Sequence, residues 1–306
     1  MITSMQLEEA QTLWMSALLH EAHQYPFMTY AWHAAWQTIG NPAQKVTVYT
    51  DGDVVASLVR VGTEVHFSGG EEVADYLDAI GEPDKKPVFW EKLLPYLKTL
   101  GVSKLVLRNV RYDSPTKGIL VALGGVAEEE DRTPVIRLPA THDAYFASLT
   151  RKDRHELKRK IRKFELVYPD TRFSIEEKES IDMDALLALM KRNSEKREFL
   201  TAPMETFFQA LPTLPGVPII QANLRTDKGM IIASVLLFPV GSSLLLYNSG
   251  YDPSFQGSGF YLKAKTILWA IDKGYKECNF LQGKERYKYE LGGQDQPVFR
   301  VEMNLK

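Results

Sequence analysis

Residues Leu244–Leu291 decide the fold of this chain: LLLYNSGYDPSFQGSGFYLKAKTILWAIDKGYKECNFLQGKERYKYEL. The apolar run Leu244–Tyr247 predicts a buried strand, and an amphipathic helix follows over residues 260–273. Gly274 ends this helix, and residues 276–281 are typical of a second strand. A basic and aromatic segment completes the stretch. The order is therefore strand, glycine-containing turn, helix and strand.

The turn before the helix contains Gly257-Ser258-Gly259, followed by Phe260. The first amide groups of a helix have no intrahelical partner and lie at the positive end of the helix dipole, so they bind phosphate without needing a lysine. Glycines also let phosphate oxygens approach the backbone closely. The same residues serve equally well as an ordinary turn, so a phosphate site and a plain turn both remain open.

The same order of elements occurs twice in the chain. The first half contains two strands, a helix and a strand at Val54–Leu58, Val65–Phe67, Phe89–Leu100 and Lys104–Leu107. The second half contains a strand at Ile231–Val235 before the stretch described above. Both first strands follow tight polar turns, which indicates antiparallel meanders. The repeat predicts an α+β protein of two domains, each a mixed, largely antiparallel twisted sheet flanked by helices.

We place the boundary between the domains in the charged run Ala127–Thr133, which is typical of an exposed linker. The predicted domains are residues 1–132 and 133–306. In the first, acidic Glu71 and Glu72 follow Ser68-Gly69-Gly70 and would repel a pyrophosphate. We therefore expect the phosphate-binding turn only in the second domain.

Composition and charge limit the classes of function. The 306 residues include 37 Lys and Arg against 39 Asp and Glu, and the net charge of -2 argues against a dedicated nucleic-acid-binding protein, DNA-binding proteins included, although a local basic patch stays open. The single cysteine, Cys278, cannot form an internal disulfide, which is typical of a reducing compartment. We find no signal peptide pattern, and the apolar run Met230–Val240 is too short to cross a bilayer. The sequence predicts a cytoplasmic protein without an integral membrane span.

Several motifs in order resemble those of the CelD-like acetyltransferases, a family of the GNAT superfamily that shares a duplicated fold with the Fem-type peptidyltransferases. The motifs are Pro26-Phe27-x2-Tyr30-x-Trp32, Ser68-Gly69, Asp75-Tyr76, the segment from Tyr145 to Lys163, Tyr251-Asp252-Pro253, Gly257–Phe260, the strand Gly274–Leu281 and Gly283–Lys288. They cover nearly the whole chain. One departure is Gly257-Ser258-Gly259, where the family usually has Ser-Pro-Gly. The resemblance implies two tandem GNAT-like domains, of which the second binds the acyl donor.

The resemblance also implies an acyltransferase that moves an acyl group from acyl-CoA to an amine of a small or cell-envelope-related acceptor. Coenzyme A or acetyl-CoA is the implied donor, and no metal is needed. The pantetheine would lie between the strands Leu244–Asn248 and Glu277–Leu281, with the pyrophosphate at the turn. The implied donor site is Tyr247, Asn248, Gly257, Ser258, Gly259 and Phe260. The acceptor would enter a cleft between the domains, and the implied acceptor residues are Asp75, Tyr76 and Tyr251.

Four residues near the end of the chain are candidates for the chemistry. In the GNAT superfamily a tyrosine at about the position of Tyr287 often protonates the departing thiolate, and in Fem-type relatives a lysine at about Lys288 contacts the substrate or donor. Both roles are chemically sensible. Asp252 or Glu285 would accept the proton of the attacking amine. The alternatives are that Tyr287 packs, Lys288 is solvated and Asp252 forms an Asp-Pro turn.

The segment Arg151–Lys163 carries eight basic residues against Asp153 and Glu156. Such a helix either presents a solvated face or binds a polyanion such as a nucleotide-sugar, a carrier phosphate or tRNA. The preferred contacts are Arg154, Arg159 and Lys163. Two alternative functions therefore stay open: a Fem-like transferase that uses aminoacyl-tRNA, and a catalytically silent module that binds a nucleotide-sugar or polysaccharide precursor.

Overall fold

The computed structural model describes residues 1–305, which form two compact units. Unit 1 comprises Met1–Arg132, Leu214–Val217 and the residues from Pro297 onward. Unit 2 comprises Thr133–Thr213 and Pro218–Gln296. The sequence predicts residues 214–217 and those from Pro297 onward in the second domain, but they group with unit 1.

The secondary structure alternates strands and helices along both units. The strands are β1 (Thr3–Gln6), β2 (Val46–Thr50), β3 (Val54–Val61), β4 (Glu64–Phe67), β5 (Ile80–Gly81), β6 (Lys104–Arg111), β7 (Val126–Arg137), β8 (Arg172–Glu177), β9 (Ile220–Arg225), β10 (Ile231–Val240), β11 (Ser243–Tyr251), β12 (Glu277–Asn279) and β13 (Gln294–Asn304). The helices are α1 (Gln11–Leu18), α2 (Tyr30–Ala35), α3 (Lys86–Thr99), α4 (Pro115–Ala122), α5 (His142–Ser148), α6 (Arg151–Val167), α7 (Met183–Met190), α8 (Ser194–Phe199), α9 (Ala202–Ala210), α10 (Ser258–Asp272) and α11 (Arg286–Glu290).

The sheet of unit 1 has the strand order β1-β2-β3-β4-β6-β13, and β5 pairs with β3. The pairs are antiparallel except for β4 and β6, which run parallel. Helix α3 buries one face through Phe89, Trp90, Leu93 and Leu97, a spacing that matches the helical repeat. This apolar stripe explains why the sequence locates α3 well.

The sheet of unit 2 has the strand order β7-β12-β11-β10-β9-β8. Here β11 and β12 are the parallel pair, and the pairs of β7 with β12, β11 with β10, β10 with β9 and β9 with β8 are antiparallel. Helix α10 packs on this sheet through residues such as Leu262 and Ile267, and Cys278 is buried in the same core. The predicted α+β class with mixed, largely antiparallel sheets is confirmed.

The predicted linker and one predicted strand end differ from the structure. The segment Ala127–Thr133, within which the units divide after Arg132, is part of β7 and not an irregular linker. Its charges find partners on the strand: Arg108 Nε donates to Glu130 Oε1 at 2.8 Å. The strand predicted at residues 276–281 ends at Asn279. It ends early because Leu281 adopts a left-handed backbone with φ 57°, which cannot continue a strand.

In unit 1, residues 71–77 lie beside the parallel strands β4 and β6 and are bonded to β6. Strands β4 and β6 pair at Glu64–Lys104 and Val65–Leu105. Farther along β6, Asn109 accepts a bond from the amide of Leu77, and its side chain donates to the carbonyls of Glu71 and Ala74. The sheet position at Asn109 is therefore bonded to the segment 71–77 rather than open to a ligand.

A buried histidine stabilises unit 1 in its neutral form. His33 Nε2 lies 3.0 Å from the carbonyl of Phe27 and must donate to it, so Nδ1 accepts from the Ser68 hydroxyl at 2.7 Å. Ser68 in turn accepts from Ser57 at 2.6 Å. Burial lowers the pKa of His33 from 6.5 to about 3. The network therefore requires an uncharged imidazole.

Unit 1 should lose stability as the pH falls below 6.5. In the unfolded chain His33 binds a proton near pH 6.5, whereas in the folded chain it does so only near pH 3. At pH 4.5 we expect a loss of about 2–3 kcal/mol from this residue relative to pH 7. Urea unfolding at both pH values measures it. His33→Gln should show a smaller pH dependence than the wild type. Identical dependence in the two proteins would contradict the assignment.

Candidate active site

The parallel strands β11 and β12 pair over three positions and then separate. The pairs are Ser243–Glu277, Leu244–Cys278 and Leu245–Asn279. Beyond them β11 continues to Tyr251, while β12 has ended. On its other side β11 carries a bulge, because Leu246–Ser249 spans three steps opposite the two steps of Leu237–Val235 on β10. The bulge places Tyr247 and Asn248 where the two strands stop pairing.

The N-terminus of α10 follows directly from β11. Gly257 precedes the helix with φ 88°, a left-handed conformation that favours glycine. The amide of Ser258 donates to Phe255 and that of Tyr261 donates to Gly257, whereas among residues 1–305 the amides of Gly259 and Phe260 make no bond to another backbone carbonyl. The Ser258 hydroxyl is buried without a partner. This helix start therefore presents free donors, as binding of a phosphate group requires.

Asp252 lies in the turn between β11 and α10. Its carboxylate accepts the amide of Ser254 at 3.0 Å and the Ser254 hydroxyl at 2.6 Å, and Arg192 is 2.8 Å away. Burial alone would raise the pKa of Asp252, but the bonds from Ser254 and the charge of Arg192 outweigh it and the pKa is lowered. A carboxylate with these partners is a weak base, so the contacts favour the turn role that the sequence left open.

Lys288 holds the loop after β12. Its side chain is 2% exposed, and Nζ donates to the carbonyls of Leu281, Gln282 and Gly283 at 3.2, 2.6 and 3.1 Å. Glu285 Oε2 is 3.0 Å away. An ammonium has three protons, so these contacts occupy Lys288 fully. The lysine is neither solvated nor open to a substrate in this arrangement, and it fixes Glu285 beside the loop.

Tyr287 lies one residue before Lys288 on α11. Its ring packs edge to face on Phe280 at 6.1 Å, and Lys263 Nζ lies 4.7 Å from its ring centroid. Burial and the charge of Glu285 raise the pKa of Tyr287, so the phenol keeps its proton at neutral pH. Within the described part of the chain its hydroxyl has no hydrogen-bond partner. A protonated phenol with a free hydroxyl suits a proton donor.

The structure adds two amines that the site prediction omitted, Lys196 and Lys263. Lys263 is 7% exposed, and Lys196 donates to the carbonyl of Ser249 on β11 at 2.5 Å. Burial, and next the charge of Lys196, lower the pKa of Lys263 to about 7. The signal for Lys263 was in the sequence, since a lysine interrupts the apolar face of a helix between Leu262 and Ile267. Lys196, on a short helix distant in sequence, gave no such signal.

Helix α6 borders two cavities. The larger, about 1070 Å³, has six basic and two acidic residues in its wall: Lys152, Lys158, Arg159, Lys160, Arg162 and Arg286, with Glu156 and Glu290. The smaller, about 300 Å³, lies between α6 and the start of α10 and is bordered by Arg159, Lys163, Gly257 and Phe260. Of the predicted contacts, Arg159 and Lys163 are thus next to the helix start, while Arg154 borders neither cavity. We call the larger cavity the α6 groove.

The predicted acceptor residues lie in different units. Tyr251, about half exposed, covers Gly259: a Cβ atom on that glycine would be 2.8 Å from the tyrosine ring. Tyr76 is buried in unit 1, where the Arg111 guanidinium lies 4.8 Å from its ring centroid. Asp75 precedes it. Only Tyr251 therefore adjoins the start of α10.

Replacing Lys288 with Met should destabilise unit 2 by about 3 kcal/mol, because three carbonyls of the loop lose their donor. Chemical unfolding measures the loss. Lys284→Met, a change of the same type at an exposed neighbour, should leave the stability unchanged. Equal stability of the two variants would show that the loop keeps its shape without Lys288.

Within residues 1–305 no group of three His, Cys, Asp or Glu side chains is placed to hold a metal ion. None of the helices in these residues is long and apolar enough to cross a membrane.

Comparisons with known proteins agree with this architecture. Residues 151–289 match the family model of an acetyltransferase (GNAT) domain. A search of curated proteins finds no match. Many solved structures are similar, and three examples cover most of both chains. The C-terminal domain of a putative lysylphosphatidylglycerol synthetase from Agrobacterium fabrum has a TM-score of 0.66 at 11% identity, covering 97% of this chain and 93% of that one.

FemX has a TM-score of 0.63 at 12% identity, and the likeness covers 98% of this chain and 96% of FemX. A tandem GNAT protein from the clavulanic acid biosynthesis pathway has a TM-score of 0.54 at 11% identity, with 100% and 98% covered. At these identities the likeness concerns the fold alone. The family match over residues 151–289 and these structural likenesses show that the chain has a GNAT/Fem-like fold.

Proposed function

We propose that the protein transfers an acyl group from a thioester of coenzyme A to the amine of a small or cell-envelope-related acceptor. The observation that carries this proposal is the separation of β11 and β12 after Leu245–Asn279, directly beside a helix start with unpaired amides. An extended thioester arm fits between separating strands, and its diphosphate fits a helix N-terminus. The bound donor supplies the activated carbonyl.

The residues at the helix start fit such a donor in chemistry as well as in place. The amides of Gly259 and Phe260 and the buried Ser258 hydroxyl would bind the diphosphate, and Arg159 and Lys163 border the same cavity and would offset its charge. Tyr247 and Asn248, at the bulge, would contact the arm of the donor. Tyr287 would give its proton to the departing thiolate.

A second candidate donor, aminoacyl-tRNA, is favoured by one specific observation, the α6 groove. Its wall carries six basic residues against two acidic ones, although the whole chain has a net charge of -2. Basic residues concentrated in one groove attract a phosphate backbone and make binding depend on salt. The wall of the groove also contains an aromatic ring, that of Phe260, whose centroid lies 4.2 Å from Lys160 Nζ. With this donor the acceptor amine would attack an ester carbonyl, the C–O bond would break, and Tyr287 would give its proton to the departing ribose oxygen instead of a thiolate.

Coenzyme A should stabilise the wild type, by about 2.7 kcal/mol at a hundredfold excess over Kd, which a thermal-shift experiment measures. Gly259→Ala should remove most of this effect, because a side chain at the helix start would narrow the space for a phosphate and its Cβ would lie 2.8 Å from the Tyr251 ring. Gly118→Ala, on α4 with open space around it, is the matched control and should retain it. Absence of any shift with the wild type would contradict a coenzyme A donor.

The two donors can be separated through the α6 groove. Replacing Lys152, Lys158 and Arg162, which border the α6 groove and not the smaller cavity at the helix start, with Gln should weaken tRNA binding and reduce its salt slope by about 2–3 if tRNA is the donor, because each phosphate contact contributes about 0.9. Replacing Lys228, Lys273 and Lys276, which are exposed elsewhere in unit 2, changes the charge equally and should have little effect. Filter binding at several salt concentrations is the measurement. Equal weakening by both triple variants would argue against a specific tRNA groove.

A further inference from the structure

Lys263 is a buried amine without a counter-charge. It lies on the buried face of α10, and in residues 1–305 no carboxylate is within 4.0 Å of its Nζ atom. Its one hydrogen bond, to the carbonyl of Gly259, is long at 3.5 Å. A buried ammonium whose contacts are one long hydrogen bond and the face of the Tyr287 ring is costly, whereas an uncharged amine needs far less compensation. The surroundings therefore favour the free base.

The charged groups around Lys263 have the same effect. Lys196 comes from α8 and Lys288 from α11, and both repel a positive charge at Nζ. Glu285 is the one carboxylate in the group, and it is already paired with Lys288 at 3.0 Å. Burial and these amines hold the pKa of Lys263 near 7, more than three units below the value of a solvated lysine. At neutral pH a large fraction of Lys263 is ready to accept a proton.

The other candidate bases at the site are bonded to partners. Burial also lowers the pKa of Lys196, but its Nζ donates to the carbonyl of Ser249. The pKa of Asp252 is lowered by its partners Ser254 and Arg192, and Glu285 is held by Lys288. Lys263 instead adjoins the expected proton donor, since its Nζ lies 4.7 Å from the ring centroid of Tyr287. The two residues lie on different helices, Lys263 on α10 and Tyr287 on α11.

We infer that Lys263 is the general base of the transfer reaction, acting with Tyr287 as the acid; this inference rests on the proposed function. The acceptor nitrogen attacks the carbonyl carbon, an N–C bond forms, and the C–S bond breaks with its electron pair on sulfur. Lys263 Nζ takes the proton that the nitrogen loses, and the Tyr287 hydroxyl gives its proton to sulfur. The Lys263 ammonium then returns one proton to the Tyr287 phenolate, which restores both groups.

The first arm of the test needs no substrate. Between about pH 7 and 10 the unfolded chain holds a proton at Lys263 that the folded chain does not, so the unfolding free energy rises with pH. Lys263→Met should reduce this slope by about one proton, while Lys273→Met, at the exposed end of the same helix, should leave it unchanged. Urea unfolding across this range gives the slope. A slope equal to that of the wild type in Lys263→Met overturns the inference.

The second arm measures transfer from acetyl-CoA to a panel of amines against pH. In the wild type kcat/KM should fall below about pH 7, as the base is protonated. Lys263→Met and Lys263→Arg should both lose roughly 10²–10⁴-fold in kcat, because an arginine cannot release its proton. Coenzyme A should still shift their melting temperature. Tyr287→Phe should lose kcat to a similar extent and keep the fall at low pH.

The outcomes separate the two hypotheses. Full turnover in Lys263→Arg overturns the base while leaving the acyltransferase intact. A wild type that binds no coenzyme A and transfers no acyl group overturns the proposed function, and with it the inference that Lys263 is the general base. Loss of turnover with retained donor binding and the altered stability slope together support Lys263 as the base.

Discussion

The separation of β11 from β12 is the constraint on which the rest of the candidate site depends. Two parallel strands with equal residue counts would stay paired, and two local features prevent this. The extra residue at Tyr247–Asn248 bends β11, and the left-handed Leu281 turns the chain out of the sheet after β12. Lys288 then holds the turned loop through three carbonyls. The opening is therefore built by backbone geometry and one buried cation.

The two units differ in what occupies the end of their parallel strand pair. Each unit has one parallel pair of strands, β4 with β6 in unit 1 and β11 with β12 in unit 2. In both, the first strand of the pair ends an antiparallel meander, and a helix connects it to the second strand. In unit 1, however, Asn109 is bonded to Glu71, Ala74 and Leu77 of the same chain. Because buried backbone groups must find partners, a segment of the protein itself satisfies these groups. Duplication of the fold thus need not duplicate a ligand site.

Much of the fold could be predicted from sequence because it depends on local patterns. The apolar stripe of α3, the run Leu244–Tyr247 and the glycine before α10 each indicate their element directly. The errors arose where distant partners decide. The acidic residues of β7 looked like a linker, since their pairing with Arg108 is invisible in the sequence. Likewise, no local signal shows that Lys288 is enclosed by three carbonyls, or that Ser254 and Arg192 occupy Asp252.

The electrostatics of the site give a reason for an amine rather than a carboxylate as the proton acceptor. A carboxylate base would add negative charge close to a donor that carries several phosphates. A neutral lysine adds none in the resting state. In the proposed transfer, negative charge would develop on the carbonyl oxygen as the amine attacks, and proton uptake at Lys263 would develop positive charge in the same step. The buried lysine would therefore be uncharged when the donor binds and cationic when the transition state needs it, a change that its low pKa permits.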